Sequence, residues 1–412
     1  MPDRYPGKLI LTGHASATKP TPVEHFPERM QAVVGGAIAR AKAALAERFV
    51  GLSADGRLRE GLFPLAKTGI SVRPLVDAAD AFAASLDAKQ REAVFFAVES
   101  DAWRSWHNMH IFLFRHGVCL ADLDESARAA ALALVRESSS AAGFANARDV
   151  MKLNEHVAEL TGRREEYGEW FYWMSVFGTP SEQEPWGWQI DGHHLSINCF
   201  VLGDQIVMTP DFRGSEPVHA ESGQHAGTRV FEEEERQGLA FMRALTPAQQ
   251  TTATIGEKVP REVITIAQVD NAVLPFQGIR YDALNAAQRE QLIRLIALYT
   301  DRVRPGHATV RLDEVKRHLD ETWFSWIGAA PEWAPRGAAA FRPCTSPSPA
   351  TLDTQDARSP SGTQPGRVRC LPQASGYSAA VRPQVGDSTS LPAPGREGCP
   401  RRSTSPGSCL RL

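Results

Sequence analysis

The fold class follows from one stretch, EPWGWQIDGHHLSINCFV, at residues 184–201. It lies within a block, residues 169–208, that is rich in aromatic and β-branched side chains. Such side chains favour strands because they pack well on a pleated surface. The block therefore predicts two or three antiparallel strands near the middle of the chain.

Most of the remaining sequence before residue 340 predicts helices. Apolar residues recur there at helical spacing, and capping residues precede several of the periodic segments. The predicted helices are residues 27–49, 74–85, 88–98, 125–138, 149–160, 231–245, 286–300 and 312–323. The sequence thus predicts an α+β fold that is mostly helical, with a central antiparallel strand block.

Two parts of the helical sequence resemble each other. The run GVCLADL, which starts at Gly117, corresponds to GIRYDAL at Gly278, 161 residues later (278 minus 117), and a similar helix follows each run. An earlier pair of capped helix starts recurs at an offset of 159 residues (245 minus 86). These pairs suggest an internal duplication of a helical module, near residues 84–138 and 243–300. The alternative is that capped helix starts look alike wherever they occur.

The composition changes abruptly near residue 340. Residues 342–412 contain no Trp, Phe, Ile, His or Lys, and Ser, Pro, Gly, Arg and Thr dominate. Such a segment cannot bury enough apolar surface to offset the entropy of ordering. We expect one α+β domain over residues 1–340 and a disordered tail over residues 341–412. The abrupt change is also typical of an out-of-frame translation.

Charge, hydropathy and motifs disfavour several classes of protein. The 412 residues carry a formal charge of -3 and a pI near 6.5, so nothing attracts the whole chain to nucleic acid. No run approaches the roughly 18 apolar residues of a membrane span, and the first residues lack a secretory apolar core. The sequence has no phosphate-binding loop, Rossmann fingerprint, serine elbow, HExxH helix or C-x-x-C pair. We expect a cytoplasmic protein that binds neither nucleic acid nor membrane.

The central stretch also carries the candidate site residues. Interpreted as one strand, it places Asp191 and His193 on an apolar face, and His194 with Asn198 on a polar face. A carboxylate two residues from an imidazole can bind a divalent metal beside it, or hold it in one tautomer for acid/base catalysis. We therefore expect Asp191, His193 and His194 to be catalytic residues or metal ligands.

A metal site needs further ligands, and other histidines could supply them. His107 and His110 lie at i and i+3 of a predicted helix, and His116 follows them; His219 and His225 lie in a predicted loop. For these histidines, a surface position or a satisfied position in the core is the commoner outcome.

Tryptophans near the central stretch are candidates for ligand binding. Trp186 and Trp188 precede Asp191, and Trp103 belongs to a Trp-x-x-Trp pair. Such pairs are usually core anchors, but they can also stack on sugars or planar ligands. We expect Trp186, Trp188, Trp103 and Asn198 to line a ligand site.

Two functions are compatible with these residues. The first is a metal-dependent or histidine acid/base enzyme that acts on a small molecule. The alternative is a non-catalytic ligand-binding or scaffold protein, in which the same residues form a buried polar network. The sequence indicates neither a substrate nor an oligomeric state.

The chain resembles the family catalogued as domain of unknown function 3500 (DUF3500). The resemblance spans roughly residues 80–330. Its motifs are WRSW at 103–106, Gly117 with Leu123 and the helix that follows, FGTP at 177–180, the block at 186–198, TPDFRG at 209–214, Gln288-Arg289 and TWFSWIG at 322–328. It implies one coherent domain and no particular activity. It also implies a Tyr-Tyr-Arg run and a His-x-His segment near the C-terminus, and this chain departs from that pattern after Phe341.

Overall fold

The strand block forms the centre of a mixed sheet in the computed structural model. The structure describes residues 23–26, 28–57, 59, 62–109, 115–257, 265, 267–328 and 338–342. Of the expected tail, Phe341 and Arg342 end a strand that begins at Ala338. Residues 343–412, with the out-of-frame interpretation, lie outside the described residues, and so does His110. All described residues belong to one compact unit. The boundary near residue 340 stays a prediction.

The described part of the chain contains ten strands in two sheets. Their bounds are β1 (Phe95–Phe96), β2 (Val118–Cys119), β3 (Tyr172–Phe177), β4 (Trp186–Gly192), β5 (Leu195–Leu202), β6 (Gln205–Arg213), β7 (Thr254–Gly256), β8 (Ile279–Arg280), β9 (Trp323–Ile327) and β10 (Ala338–Arg342). The first sheet has the order β1-β3-β4-β5-β6, with β2 beside β1 on the same edge of β3. The second sheet has the order β10-β9-β7, with β8 also paired to β9.

Nine α-helices are described as well. They are α1 (Glu28–Ala46), α2 (Arg73–Ser85), α3 (Ala88–Val94), α4 (Glu125–Ser138), α5 (Ala141–Thr161), α6 (Glu232–Ala244), α7 (Pro247–Ala253), α8 (Ala286–Thr300) and α9 (His307–Lys316). The predicted α+β class, with its antiparallel block β3–β6, is therefore confirmed. The block has four strands, one more than the upper prediction.

Several helix predictions were wrong at their ends. The helix predicted at 149–160 begins earlier, at Ala141, and two others continued into strands. The helix predicted at 88–98 stops at Val94, where the chain turns into β1. The helix predicted at 312–323 ends at Lys316, and Trp323 begins β9. Each of these last two errors ran a helix into a short strand whose aromatic residues also suit a helical pattern, an ambiguity that short apolar runs carry.

The two self-similar stretches of sequence have the same order of elements. The helices and strands occur in the order α3-β1-β2-α4-α5-β3 in the first and α7-β7-β8-α8-α9-β9 in the second, and the strands have the same pairings. In each, one short strand runs parallel to the long strand and the other antiparallel to it. Both first helices begin with a reciprocal capping box, formed by Asp87 with Gln90 and by Thr246 with Gln249.

The glycines that precede β2 and β8 meet matching neighbours. Gly117 has φ +81°, and a Cβ there would lie 2.2 Å from the carbonyl oxygen of Met174 in β3. Gly278 has φ +97°, and a Cβ there would lie 2.2 Å from the carbonyl oxygen of Phe324 in β9. Only glycine allows this approach together with this backbone conformation. Common ancestry of the two segments stays a prediction.

Two hydrophobic cores stabilise the fold. The larger packs α2, α4 and α5 against one face of the first sheet, and it contains Tyr172, Trp186, Trp188 and Ile197. The smaller packs α6 and α8 against the second sheet around Phe241, Phe324 and Trp326. Among the described residues, no helix has the length and apolarity that a membrane crossing needs.

Candidate functional site

The face of the first sheet opposite the larger core carries a row of buried polar side chains. Alternation along β3, β4 and β5 puts Ser175, Gln189, Asp191, Ser196 and Asn198 on this face, each at most 2% exposed. His107 and His116, from the segment that precedes β2, contact this row. We call these seven side chains the polar layer.

Residues 103–108 cross the polar layer and are called the covering segment. The buried side chain of Arg104 anchors this segment. Arg104 forms an ion pair of 2.6 Å with Asp270 and donates to the carbonyl oxygens of Ala44, Leu45 and Glu47 near the end of α1. The ring of Trp103 stacks on Phe177 of β3, with 3.8 Å between the ring centroids. The residues that follow are thereby held across the sheet.

His107 and Asp191 form the central contact of the polar layer. The imidazole Nδ1 of His107 lies 2.5 Å from Oδ2 of Asp191. The backbone N–H of His107 donates to the same carboxylate oxygen at 3.1 Å. Both residues are about 1% exposed, so little water screens the pair.

The amide pair Gln189 and Asn198 completes the layer. Gln189 Nε2 donates to Asn198 Oδ1 at 2.8 Å and to the carbonyl oxygen of Trp103 at 3.1 Å. Asn198 Nδ2 donates to the same carbonyl oxygen at 3.2 Å. His116 Nε2 lies 2.5 Å from Gln189 Oε1. The polar groups of β4 and β5 are thus tied to the covering segment.

The predicted arrangement of Asp191 with His193 on one strand face is wrong. His193 and His194 form the two-residue turn between β4 and β5, where Gly192 pairs with Leu195. The turn reverses the chain, so Asp191 shares its face with Ser196 instead of Ile197. At the second position of the turn the backbone enters the left-handed region, where His194 has φ 63°.

The two turn histidines contact other parts of the protein. His193 Nδ1 lies 2.8 Å from Asn154 Oδ1 on α5, and Asn154 Nδ2 donates to the carbonyl oxygen of Gly168. Tyr172 donates its hydroxyl to the carbonyl oxygen of His193 at 2.9 Å. The rings of His193 and His194 lie 4.1 Å apart. The side chain of His193 thus has partners other than Asp191. The backbone N–H of His194 nevertheless donates to the carbonyl oxygen of Asn108 at 3.0 Å, so the turn also contacts the residue that follows His107.

The predicted ligand-binding residues divide between the two faces of the sheet. Trp103 and Asn198 lie at the polar layer. Trp186 and Trp188 are 0% exposed in the larger core, where their indole N–H groups donate to Ser181 and Ser138. The common outcome for tryptophan pairs, a core anchor, applies to these two. They do not line a site with Asp191.

Metal and thiol chemistry find little support in the described residues. No three His, Cys, Asp or Glu side chains among them are grouped so that they could hold a metal ion. Of the expected ligands, Asp191 contacts His107 and His193 contacts Asn154. Burial raises the pKa of Cys119 and of Cys199 to about 12. Both side chains therefore stay neutral thiols at neutral pH.

Sequence reasoning missed the roles of Gln189 and Asn154. Gln189 lies two residues before Asp191, so strand alternation alone places the two on one face. His107 was a candidate because of helical spacing to His110, but residues 105–108 have no helical structure. Its contact with Asp191 depends on a covering segment that no local pattern reveals.

Known proteins supply a family and no activity. No curated protein and no solved structure matches the chain. A family model, described as protein of unknown function (DUF3500), matches residues 68–337, which include the polar layer and both sets of repeated elements. The match covers more than half of the 412 residues. The chain belongs to the DUF3500 family.

Proposed function

We propose that the protein is a histidine acid/base enzyme that acts on a small polar molecule at the polar layer. The observation that carries this proposal is the 2.5 Å separation between His107 Nδ1 and Asp191 Oδ2. The contact has an ion-pair distance without the alignment of a hydrogen bond. The proton of the neutral ring is still favoured on the nitrogen that faces the carboxylate, because two lone pairs would repel each other. His107 therefore keeps the lone pair of its neutral form on Nε2.

An aspartate in this position does for histidine what catalysis requires. It fixes the tautomer and orientation of the ring, and it stabilises the imidazolium that forms when Nε2 accepts a proton. The backbone N–H bond to the same oxygen holds the carboxylate in place. His107 is then the acid/base group and Asp191 is its positioning residue.

Three buried polar atoms support a small polar ligand. Ser175 Oγ, Ser196 Oγ and Asn108 Oδ1 make no hydrogen bond with the described residues. Ser196 is the cross-strand neighbour of Asp191, and Asn108 follows His107 in the chain. Native proteins leave few buried polar atoms without a partner. A small molecule with hydroxyl or carbonyl groups would satisfy these atoms beside the imidazole.

The proposal is tested by incubating the purified protein with a defined mixture of water-soluble metabolites and measuring which are consumed by mass spectrometry. We expect the wild type to convert at least one component, and His107→Gln and Asp191→Asn to lose that conversion. His318→Gln is the matched control, since His318 contacts the carbonyl oxygen of Leu62, away from the layer. Conversion that survives in His107→Gln would overturn the proposal.

A second candidate function is non-catalytic binding, and burial favours it. His107 and Asp191 are 1% exposed and Gln189 is 0% exposed, as in a polar network that specifies one arrangement of a core. In that case no metabolite is consumed, and His107→Gln and Asp191→Asn act on stability alone. The same samples, followed by urea unfolding, separate the two functions.

A further inference from the structure

We infer that His116 is a second acid/base group of this site, with Gln189 as its positioning residue. The inference rests on the proposed function and extends it from one imidazole to two. His116 is half-buried, in contrast to His107. It is therefore the imidazole of the polar layer that a ligand from solvent reaches first.

The orientation of the Gln189 amide fixes the tautomer of His116. Both donors of Gln189 Nε2 are used, one by the carbonyl oxygen of Trp103 and one by Asn198 Oδ1. Asn198 is oriented in turn, because its Nδ2 donates to the same carbonyl oxygen. Gln189 Oε1 is therefore the atom that faces His116, and an amide oxygen only accepts. His116 Nε2 must carry the proton, which leaves the lone pair of the neutral ring on Nδ1.

The lone pair on Nδ1 of His116 is the one that would accept a proton from a substrate. The structure places no described hydrogen-bond partner at Nδ1 of His116, and the edge of the ring meets Phe96 with 5.8 Å between centroids. The amide on one side and the phenyl ring on the other limit rotation of the imidazole. A ring held in one tautomer and one orientation is prepared to accept a proton at a single atom.

The two imidazoles contact neighbouring positions of one strand, β4. Gln189 and Asp191 are two residues apart on β4, on the same face. Side chains at such positions are separated by about 7 Å. Ser175 is the cross-strand neighbour of Gln189, and Ser196 that of Asp191. A small molecule beside His107 would also meet the hydroxyl of Ser196, whereas Ser175 Oγ lies against the backbone of Gly117.

This arrangement defines a class of reaction. His116 Nδ1 takes a proton from one atom of the substrate while its Nε2–H stays on Gln189 Oε1, and the imidazolium form of His107 gives the proton on its Nε2 to a second atom of the substrate, or to the leaving group in an elimination. No electrons leave the substrate, and no third reactant is needed. The class is paired proton transfer on a polar molecule, as in an isomerisation or an elimination, with both groups returned to their starting state by solvent.

Reactivity and tautomer can be measured on the folded wild-type protein. Diethyl pyrocarbonate acylates imidazole nitrogens that have an accessible lone pair, and peptide mapping identifies the modified residues. We expect His116 to be modified while His107 stays protected until the protein is unfolded in urea. Two-dimensional ¹H–¹⁵N spectra should show His116 in the Nε2–H tautomer, and Gln189→Leu should convert it to a mixture of tautomers.

The metabolite mixture completes the test. We expect modification of His116, and separately His116→Gln, to remove the conversion that depends on His107. Conversion that is lost in His107→Gln but retained in His116→Gln would overturn the inference and leave the proposed function standing. If His116 shows the Nδ1–H tautomer, or resists the reagent in the folded protein, the inference also fails. Loss of the proposed function itself is recognised separately, because conversion then survives in His107→Gln.

Discussion

His107 and Asp191 are 84 positions apart in the chain, and their side chains meet at 2.5 Å beneath a segment that crosses the sheet. The contact joins the covering segment to β4, the second strand of the antiparallel block. Strand periodicity predicted that Asp191 would lie beside His193, but its partner is the imidazole of His107. The proposed chemistry of this chain therefore lies on the polar face of the sheet, and the side chain of His193 is not part of it.

The turn histidine is expected to act on stability. Replacing His193 with Gln removes the ring that contacts Asn154 Oδ1 at 2.8 Å in a buried position. We expect the free energy of unfolding to fall by about 1–3 kcal/mol, the cost of leaving a buried polar group unpaired. Urea unfolding measures this loss. Unchanged stability, together with loss of metabolite conversion, would instead place the function at the turn.

The two corresponding glycines should be equally intolerant of a side chain. Gly117→Ala and Gly278→Ala each force a Cβ to 2.2 Å from a strand carbonyl oxygen at positive φ. We expect each to lower the free energy of unfolding by about 3 kcal/mol or more, from backbone strain and overpacking together.

Gly162 is the matched control for these variants. It has φ +70°, and a Cβ there would meet nothing within 4 Å, so Gly162→Ala should cost only about 1–2 kcal/mol. Chemical denaturation of the three variants gives the comparison. Equal losses at all three positions would show that contact with β3 and β9 does not matter.

Trp188 should behave as a core residue. Trp188→Phe removes volume at a site with 0% exposure, and it removes the indole N–H that donates to Ser138 Oγ at 3.0 Å. We expect a loss of about 2 kcal/mol in stability and no change in metabolite consumption per folded molecule. Circular dichroism during unfolding and the metabolite assay give the two readouts. A change in metabolite consumption without a loss of stability would show that Trp188 lines the binding site after all.

Because of His307, the protein should become less stable as the pH is lowered. Burial lowers the pKa of His307 from its ordinary value of 6.5, although its Nε2 contacts the carbonyl oxygen of Asp204 at 2.9 Å. Between the lowered pKa and 6.5 the unfolded state binds more protons than the folded state, so stability decreases as the pH falls through this window. Above pH 6.5, the ordinary pKa, His307 is neutral in both states and no longer lowers the stability of the folded protein.

The variant His307→Gln isolates this contribution. We expect its free energy of unfolding to depend less steeply on pH than that of the wild type below pH 6.5, with parallel curves at higher pH. Urea unfolding at a series of pH values provides the slopes. Identical slopes in both proteins over the acidic range would show that His307 is not the group responsible.

Local patterns predicted much of the fold. Alternation and side-chain type identified the strand block, and reciprocal caps at Asp87 and Thr246 marked two matching helix starts. The Gly-His-His turn was not predicted because its flanking residues continue the alternation of a strand. The positive φ at His194 depends on the pairing of β4 with β5, which the local sequence does not indicate.

The candidate site was only partly predictable. Asp191 and Asn198 were identified from their own stretch, and both lie in the polar layer. The imidazoles of the layer come from a segment anchored by Arg104 and Asp270, a contact 166 residues apart in sequence. Long-range pairs of this kind leave no periodic signal, so their geometry depends on the tertiary fold.

The most direct test of the central claim is a low-field proton NMR spectrum of the wild type, His107→Gln and Asp191→Asn. We predict a strongly downfield signal from His107 Nδ1–H in the wild type, because Nδ1 lies 2.5 Å from a carboxylate oxygen of Asp191 and the proposal puts the ring proton on that nitrogen. The signal should be absent from His107→Gln and lost or moved upfield in Asp191→Asn. A wild-type spectrum without this signal, or a signal unaffected by Asp191→Asn, would contradict the pairing on which the proposed acid/base function depends.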